Sequence, residues 1–383
     1  MYQKNTDKYI IDLFSGCGGF AEGFKKSGYK SYLAADFDYW SCQTFKNRFK
    51  KTDVINEDIT TTKFKKILRS KINGTPIEGV VAGLPCQSFS SVGRAQDKFS
   101  MTKDKRNYFY KDFFECLKII NPNFFVFENV RGILSAKPNG IKIFDDILEF
   151  SKKLGYVTLD DTKKMVFDTS EYGVPQIRKR VFVIGVKKKY SKLISKIYEE
   201  LINIQKDKNI FTVKDAISDL PKLKPGEGVE KTKLIKKNKN KYLKKIANSK
   251  FVFNHVARNH NEKDRQRYKF LSKNNWELRD LKKTRPDLIH HNPDHFKNRY
   301  TVQRYDLPGK TIVSHLYKDG NLFIHPDYKQ ERTFTVREAA RVQSFPDDFV
   351  FLGSRTEQYK QVGNAVPPIM AENISKVIKK YCG

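Results

Sequence analysis

The chain has 383 residues, 39% of them hydrophobic, which is enough for a substantial core and more than one ordinary domain. Its 74 Lys plus Arg stand against 43 Asp plus Glu, a net charge of +31 that favours a polyanionic partner, either nucleic acid or an acidic membrane surface. No apolar run reaches the roughly eighteen residues of a membrane-spanning helix. The five cysteines are widely spaced with no Cys-x-x-Cys pair, so neither a disulfide framework nor a structural metal site is expected. The polar start Met1-Tyr2-Gln3-Lys4-Asn5 carries no signal-peptide pattern, and a cytoplasmic location follows as the expectation.

In chain order, Tyr9-Ile10-Ile11-Asp12-Leu13-Phe14 reads as a buried strand, followed by a glycine-rich turn and a helix from Phe20 to Ser27. Ser31 to Ala35 is a second strand ending at Asp36, and a short third precedes Asp58. Ile77 to Ala82 is a fourth, closed by Gly83, and Asn107 to Ile120 is a helix with apolar residues at helical spacing. Phe124-Phe125-Val126-Phe127 is a fifth strand, with Tyr156 to Val166 and Val181 to Val186 as two more. Strands alternating with helices imply an α/β domain with a mostly parallel, seven-stranded sheet. From Lys187 the pattern breaks: residues 187–330 hold 35 Lys plus Arg against 16 Asp plus Glu, and Lys231 to Lys250 has nine lysines and no acid. That run reads either as a solvated linker or as an arm that meets phosphates. Regular patterning returns with a helix from Val336 to Gln343 and a last one from Pro368 to Tyr381.

Three clusters carry chemistry. Phe14-Ser15-Gly16-Cys17-Gly18-Gly19 joins the first strand to the first helix, where glycines let backbone approach a ligand. Asp36, twenty residues after Gly16, ends the second strand, where a carboxylate can accept hydrogen bonds from a ribose diol. The pair indicates a nucleoside cofactor. Because Ala21 stands where Gly-x-Gly-x-x-Gly has its last glycine, the loop alone leaves a dinucleotide oxidoreductase open. Next, the fourth strand runs into Gly83-Leu84-Pro85-Cys86-Gln87-Ser88, in which proline stiffens the loop that presents Cys86. The fifth strand ends in Glu128-Asn129-Val130, and parallel strands put their carboxyl ends on one ligand-binding edge. Finally, Gln176-Ile177-Arg178-Lys179-Arg180 precedes the strand from Val181, and alternation turns Arg178 and Arg180 to the same face.

Together these clusters resemble the DNA (cytosine-5) methyltransferase family, in particular the bacterial enzymes of restriction–modification systems. Asp12 to Gly19 resembles its S-adenosylmethionine loop, Pro85-Cys86-Gln87 its nucleophile loop, Glu128-Asn129-Val130 its catalytic glutamate and Gln176 to Arg180 its Gln-x-Arg-x-Arg. Arg337-Glu338-Ala339-Ala340-Arg341 with Phe345-Pro346, and Gln361-Val362-Gly363-Asn364-Ala365-Val366-Pro367, resemble its two C-terminal motifs. The resemblance spans residues 8–186 and about 300–381.

The resemblance implies a Rossmann-like methyltransferase domain, residues 1–186 plus 357–383, and a smaller mixed target-recognition domain over 187–356. It makes Cys86 the nucleophile that adds to cytosine C6, Glu128 the carboxyl at N3 and the exocyclic amine, and Arg178 the partner of O2, with Arg180 nearby. S-adenosylmethionine, leaving as S-adenosylhomocysteine, would meet Phe14, Gly16, Cys17, Gly18, Gly19, Asp36, Phe37, Asp58, Ile59, Pro85, Phe109, Asn364 and Val366, with no metal. Family members often have Glu and Trp where this chain has Asp36 and Phe37. Duplex DNA would meet Gln87 and Ser90 around a flipped base, and Arg258, Arg304, Thr311, His315 and Lys318 in the recognition part. Asn259, His260, Arg265 and Arg267 are further candidates for base or phosphate contact. The expected partners are double-stranded DNA and a cognate restriction endonuclease, and the expected state is a monomer acting at the nucleoid. Two alternatives are a tRNA cytosine-5 methyltransferase, whose Cys-Phe-Thr tripeptide is absent here, and a catalytically silent DNA-binding relative.

Overall fold

Near-continuous apolar runs, as strands covered on both faces require, set the architecture of the computed structural model. It describes residues 7–85, 89, 104–206, 210–234, 240–289 and 299–382. The strands are β1 (Lys8–Leu13), β2 (Tyr29–Asp36), β3 (Asp53–Asn56), β4 (Ile77–Gly83), β5 (Phe124–Asn129), β6 (Tyr156–Thr158), β7 (Val166–Asp168) and β8 (Lys179–Lys187). They form one sheet in the order β3-β2-β1-β4-β5-β8-β6, with β7 paired alongside β8. The first five are mutually parallel, and β8 runs antiparallel to β5, β6 and β7. The mostly parallel α/β sheet expected from the sequence is therefore present. Its seven-strand path carries an eighth short strand, because the stretch read as one strand from Tyr156 to Val166 is split. The Asp161 carboxylate accepts the Lys163 N–H at 3.1 Å and starts a 3-10 turn, Thr162–Met165, between the pieces.

Phenylalanines of β5 fill the sheet interior, and glycines opposite them make room. A Cβ on Gly79 would lie 2.2 Å from the Phe124 ring, and one on Gly185 2.1 Å from the Phe125 ring. Both are register partners across the sheet. Glycine inside a strand normally weakens it, and here it marks close approach of a neighbour. Helices α1 (Gly19–Lys26), α2 (Tyr39–Arg48), α3 (Thr62–Ile72), α4 (Phe109–Ile120), α5 (Ile143–Lys153) and α6 (Ile194–Lys206) belong to the same unit, with the C-terminal helix Pro368–Cys382. Gly23 lets α1 approach that last helix: a Cβ there would stand 2.5 Å from the Ala371 Cβ and the Pro368 carbonyl. This first unit comprises residues 1–172, 179–208 and 365–383.

The second unit comprises residues 173–178 and 209–364. It contains the antiparallel hairpin β9 (Gly228–Lys233) and β10 (Phe251–Val256), and helices α7 (Val213–Ile217), α8 (Glu262–Asn274), α9 (Val336–Val342) and α10 (Arg355–Asn364). Tyr268, Leu271, Leu278, Leu281, Leu288, Tyr300 and Ile324 form a hydrophobic cluster. Beside the apolar core lies a buried charge network built from the motif Arg337 to Arg341. Thr335 and Glu338 close a capping box at the start of α9, and Glu338 takes two 2.7 Å bonds from Arg332. Burial alone would raise the Glu338 carboxyl, but the adjacent Arg332 guanidinium outweighs it and holds it well below the usual carboxylate range. Arg341 makes a bidentate pair with Asp347 at 2.8 Å, and Arg337 donates to the carbonyls of Phe253, Pro346 and Phe349. Buried charges are costly unless paired or hydrogen-bonded; Glu338 and Arg341 have opposite charges beside them, and Arg337 is satisfied by three carbonyls. Among the described residues, no helix is long and apolar enough to cross a membrane.

Candidate active site

Strand register brings the chemistry-bearing segments of the first unit to one edge. Leu13 of β1 pairs with Ala82 of β4, and Gly83 of β4 pairs with Glu128 of β5. The turn after β1, the loop after β4 and the end of β5 therefore begin side by side. Cys86, Gln87 and Ser90 lie outside the described residues. Pro85, one residue before Cys86, is described and half-buried.

The turn after β1 is tight because Phe14, Gly16 and Gly18 all have positive φ, at 51°, 51° and 100°. The Ser15 N–H donates to the Ala35 carbonyl at 3.0 Å, which ties the turn to the end of β2. A Cβ on Gly16 would meet nothing within 4 Å, whereas one on Gly18 would strike the rings of Phe45 and Phe49. At Gly19 a Cβ would lie 2.2 Å from the Val366 carbonyl, so Val366 is seated directly against the glycine turn. Cys17 is buried, and the Phe14 ring stacks on Phe109 with centroids 5.8 Å apart.

Asp36 closes β2 beside this turn. Its carboxylate accepts the Gly16 N–H at 2.8 Å and the Asp38 N–H at 2.9 Å. Burial pushes its carboxyl up to about 6, against the two N–H donors that favour the charged form. Next to it Phe37 is 72% exposed, a flat ring beside a buried acceptor. Tyr39 and Trp40, unremarked in the sequence, are exposed as well and meet edge to face at 5.2 Å. Asp58 is exposed and accepts two 2.9 Å bonds from Thr60, and Ile59 beside it is buried.

At the end of β5, Glu128 is buried and its Oε1 stands 2.9 Å from the Arg180 Nε. Arg180 also donates to the Lys179 carbonyl at 2.8 Å. Asn129, which sequence reasoning did not single out, donates to the Leu84 carbonyl at 3.4 Å and accepts the Val130 N–H at 2.8 Å. It links the end of β5 to the segment leading into Cys86. Asp12, under the glycine turn, was likewise given no role of its own; burial holds its carboxyl well above the usual carboxylate range. Both lie inside motifs that the sequence shows, but their residue types alone assigned neither a role.

Arg178 and Asn364 belong to the second unit. Arg178 is buried, and its Nη1 donates to the Ile312 carbonyl at 2.9 Å and the Gly363 carbonyl at 3.5 Å. Arg178 and Arg180, read as sharing a face, thus have different partners. Gln176 accepts the Ile312 N–H at 2.8 Å and anchors this segment within the second unit. Asn364 is exposed at the end of α10.

Of the residues expected to meet DNA, Arg304 is exposed and paired with Asp306 at 2.8 Å, and His315 and Lys318 are exposed. The Thr311 hydroxyl donates to the Ile177 carbonyl at 2.7 Å. Arg265 pairs with Glu331 at 2.9 Å. Arg267 is buried, paired with Asp264 at 2.7 Å and bonded to the Leu288 carbonyl, so its charge is used inside the fold. Arg258 is buried over the Tyr359 ring, 4.2 Å from its centroid.

Comparison with known proteins identifies the family. The family model described as C-5 cytosine-specific DNA methylase matches residues 9–380. The type II methyltransferase M.DdeI of Desulfomicrobium norvegicum is 36% identical, over 97% of this chain and 88% of that protein. The type II methyltransferase M.Bpa9945I of Bacillus paralicheniformis is 32% identical, over 97% of this chain and 98% of its own length. Among solved structures, an E. coli prophage protein described as a candidate DNA modification methyltransferase superposes with a TM-score of 0.75 at 26% identity, covering 98% of this chain and 99% of that one. The S. pombe Dnmt2 methyltransferase shares the fold, with a TM-score of 0.58 at 12% identity over 97% of this chain and 99% of its own.

Proposed function

The chain belongs to the C-5 cytosine-specific DNA methylase family, and from that premise we propose that it transfers a methyl group from S-adenosylmethionine to C5 of a flipped-out cytosine in a specific duplex DNA site. The reading extends to a covalent Cys86–C6 bond, to a protective role beside a cognate endonuclease, as the type II relatives suggest, and to a monomer working at the bacterial nucleoid. The single observation that carries it is the edge at which Glu128, held by Arg180, ends the strand paired with the one that leads into Cys86.

The residues present fit the cofactor. Asp36 is a buried carboxyl raised by its surroundings, and ribose hydroxyls are the donors that would favour its charged form. Phe37 offers an exposed face to a purine, and the space in front of Gly16 is open. Phe14, Gly18, Gly19, Asp58, Ile59, Phe109 and Val366 complete the candidate cradle, with Cys17 and Pro85 in its wall, and Asn364 is assigned to the cofactor by the family resemblance. When bound, S-adenosylmethionine supplies an electrophilic methyl on a sulfonium.

Cytosine C5 is too weak a nucleophile to accept that methyl unaided. The Cys86 thiolate adds to C6, and the ring's π electrons become available at C5. The Glu128 carboxyl in its protonated form donates to N3, where the charge gathers, while its other oxygen accepts from the exocyclic amine. Arg180 orients Glu128, and Arg178 takes O2. After methylation the C5 proton leaves to water, the C5–C6 double bond re-forms and the Cys86–C6 bond breaks. The target base is unreachable inside a duplex, so it is extruded at a cost of a few kcal/mol, with Gln87 and Ser90 in the loop that closes over it.

A duplex carrying 5-fluorocytosine tests the covalent step, because fluorine cannot leave as the proton does. The expected result is a denaturation-resistant protein–DNA adduct that forms with S-adenosylmethionine and is absent in Cys86→Ser. An adduct that survives in Cys86→Ser would assign the nucleophile elsewhere.

A further inference from the structure

Helix α2 meets the glycine turn at both of its ends. At its start, the Asp36 carboxylate accepts the Gly16 N–H at 2.8 Å and the Asp38 N–H at 2.9 Å. Asp38 in turn caps α2 by accepting the Ser41 N–H at 2.7 Å. At its end, the rings of Phe45 and Phe49 close on Gly18, where a Cβ would lie 2.9 Å from the first and 2.8 Å from the second. Arg48, the last residue of α2, reaches across to α1. Its Nε donates to the Glu22 Oε2 and its Nη2 to the Glu22 Oε1, each at 2.8 Å. The Glu22 side chain is 3% exposed and that of Arg48 13%, so this is a largely buried, two-pronged ion pair.

Glu22 stands in the first turn of α1, and its N–H donates to the Gly18 carbonyl at 2.9 Å. Gly18 caps that helix with no side chain to hold it, so the exit of the turn into α1 depends on what α2 supplies. The contacts close a circuit that runs from Gly16 through Asp36, Asp38 and α2 to Arg48, Glu22 and Gly18. A bidentate Arg–carboxylate pair adds geometric specificity to its energy. For stability alone, an apolar pair of similar volume often serves as well or better. The element here that needs one fixed geometry is the turn. With Asp36 taking the ribose and Phe37 the purine, the turn is left to the homocysteine end of the cofactor.

We propose that Glu22 and Arg48 are a positioning pair for methyl transfer, which holds the Gly16–Gly19 turn in register with the Asp36 end of the cradle so that the homocysteine end is received in one orientation. They act through the turn and are not catalytic residues. The inference rests on the reading of the cradle as an S-adenosylmethionine site.

The test uses the full chain and calorimetric binding of two probes, S-adenosylhomocysteine and 5′-methylthioadenosine, which keeps the adenosine and the sulfur but lacks the amino-acid end. Arg48→Met is expected to weaken S-adenosylhomocysteine about tenfold and methylthioadenosine by less than about twofold, as for hydrogen bonds lost to a charged group. Arg48→Lys, which keeps the charge without the fork, should recover part of the loss. Glu22→Gln/Arg48→Gln leaves no unpaired buried charge, and should show the same split between probes even where Arg48→Met fails to fold. Tyr198→Phe is the control for destabilisation alone: its hydroxyl bonds the Ile184 N–H and the Phe182 carbonyl, both at 2.9 Å, and its loss should lower thermal stability without splitting the probes. Equal loss on both probes, loss on neither, or the same split in Tyr198→Phe would overturn the proposal. Unaltered protein that binds neither probe would fail the parent reading, an outcome distinct from the rest.

Discussion

The Arg180 Nε stands 2.9 Å from the Glu128 Oε1, with Glu128 on β5 and Arg180 on its antiparallel neighbour β8. A carboxyl group that must meet a ring nitrogen in one orientation benefits from a rigid, charged partner more than from a mobile one. Arg180→Ala is therefore expected to lower single-turnover methyl transfer by roughly 10²–10⁴, the range for a positioned acid–base group. Cofactor affinity should stay unchanged, and Arg180→Lys should recover part of the rate. Equal loss of cofactor affinity in Arg180→Ala would show that the pair is merely structural.

Asp36 leads to a pH prediction. Its carboxyl is raised from 3.8 to about 6 by burial. In the cofactor-free protein, the stability this group contributes is fully present below its unfolded value near 3.8 and is lost as pH rises through 6. Cofactor binding has the opposite sign, because ribose hydroxyls donate to the ionised form. Affinity for S-adenosylmethionine should rise as pH passes through 6 and then level off. Asp36→Asn should flatten that profile and weaken binding roughly 10- to 100-fold, the equivalent of about 1.5–3 kcal/mol for a charged hydrogen bond. Calorimetric titration from pH 5 to about 8 reads both; a slope that persists in Asp36→Asn would contradict the assignment.

The glycine turn separates two kinds of strain. Gly19→Ala places a Cβ 2.2 Å from the Val366 carbonyl. Because that neighbour is backbone, a loss of about 1–3 kcal/mol is expected, as for overpacking. Gly16→Ala meets nothing within 4 Å and only bears the strain of φ near 51°, about 1–2 kcal/mol. In urea unfolding Gly19→Ala should have the lower midpoint, and it should weaken cofactor binding by displacing Val366. Reversal of that order would mean Val366 adjusts freely.

The Arg332–Glu338 pair should dominate the stability of the second unit. Glu338→Gln leaves the fully buried Arg332 without its counter-charge and is expected to cost about 3–5 kcal/mol. The carboxyl is held well below its usual range, so its contribution is present above the unfolded value near 4.5 and is lost as pH falls through the depressed one. The unaltered protein should therefore approach Glu338→Gln in stability only in strong acid, as thermal unfolding against pH would read.

These relationships were unequally visible in the sequence. The sheet edge was legible because strand periodicity, Gly83, Glu128 and the glycine loop are local signals, and parallel topology brings their ends together. The reactive residue types were legible because the chemistry tolerates few substitutes. What escaped were roles defined by distant partners. Gln176 looks like part of a catalytic motif, yet its amide is engaged 136 residues away at Ile312. Arg337 and Arg341 stand in a motif for which the sequence shows no structural role, yet both are buried and bound to the Phe349 carbonyl and Asp347. Arg267 has the same character as Arg258 in sequence, and only the fold separates an arginine paired with Asp264 from one laid over the Tyr359 ring. The Tyr156–Val166 stretch was misread as one strand because a side-chain turn at Asp161 outweighs its flanking β pattern.

The most direct test of the account is transfer of labelled methyl from S-adenosylmethionine to unmethylated duplex DNA, with tRNA in parallel and Cys86→Ser as the control. The account predicts label recovered as 5-methylcytosine in the duplex, none in tRNA, and none in either with Cys86→Ser. Label in tRNA alone, or undiminished transfer by Cys86→Ser, would contradict it.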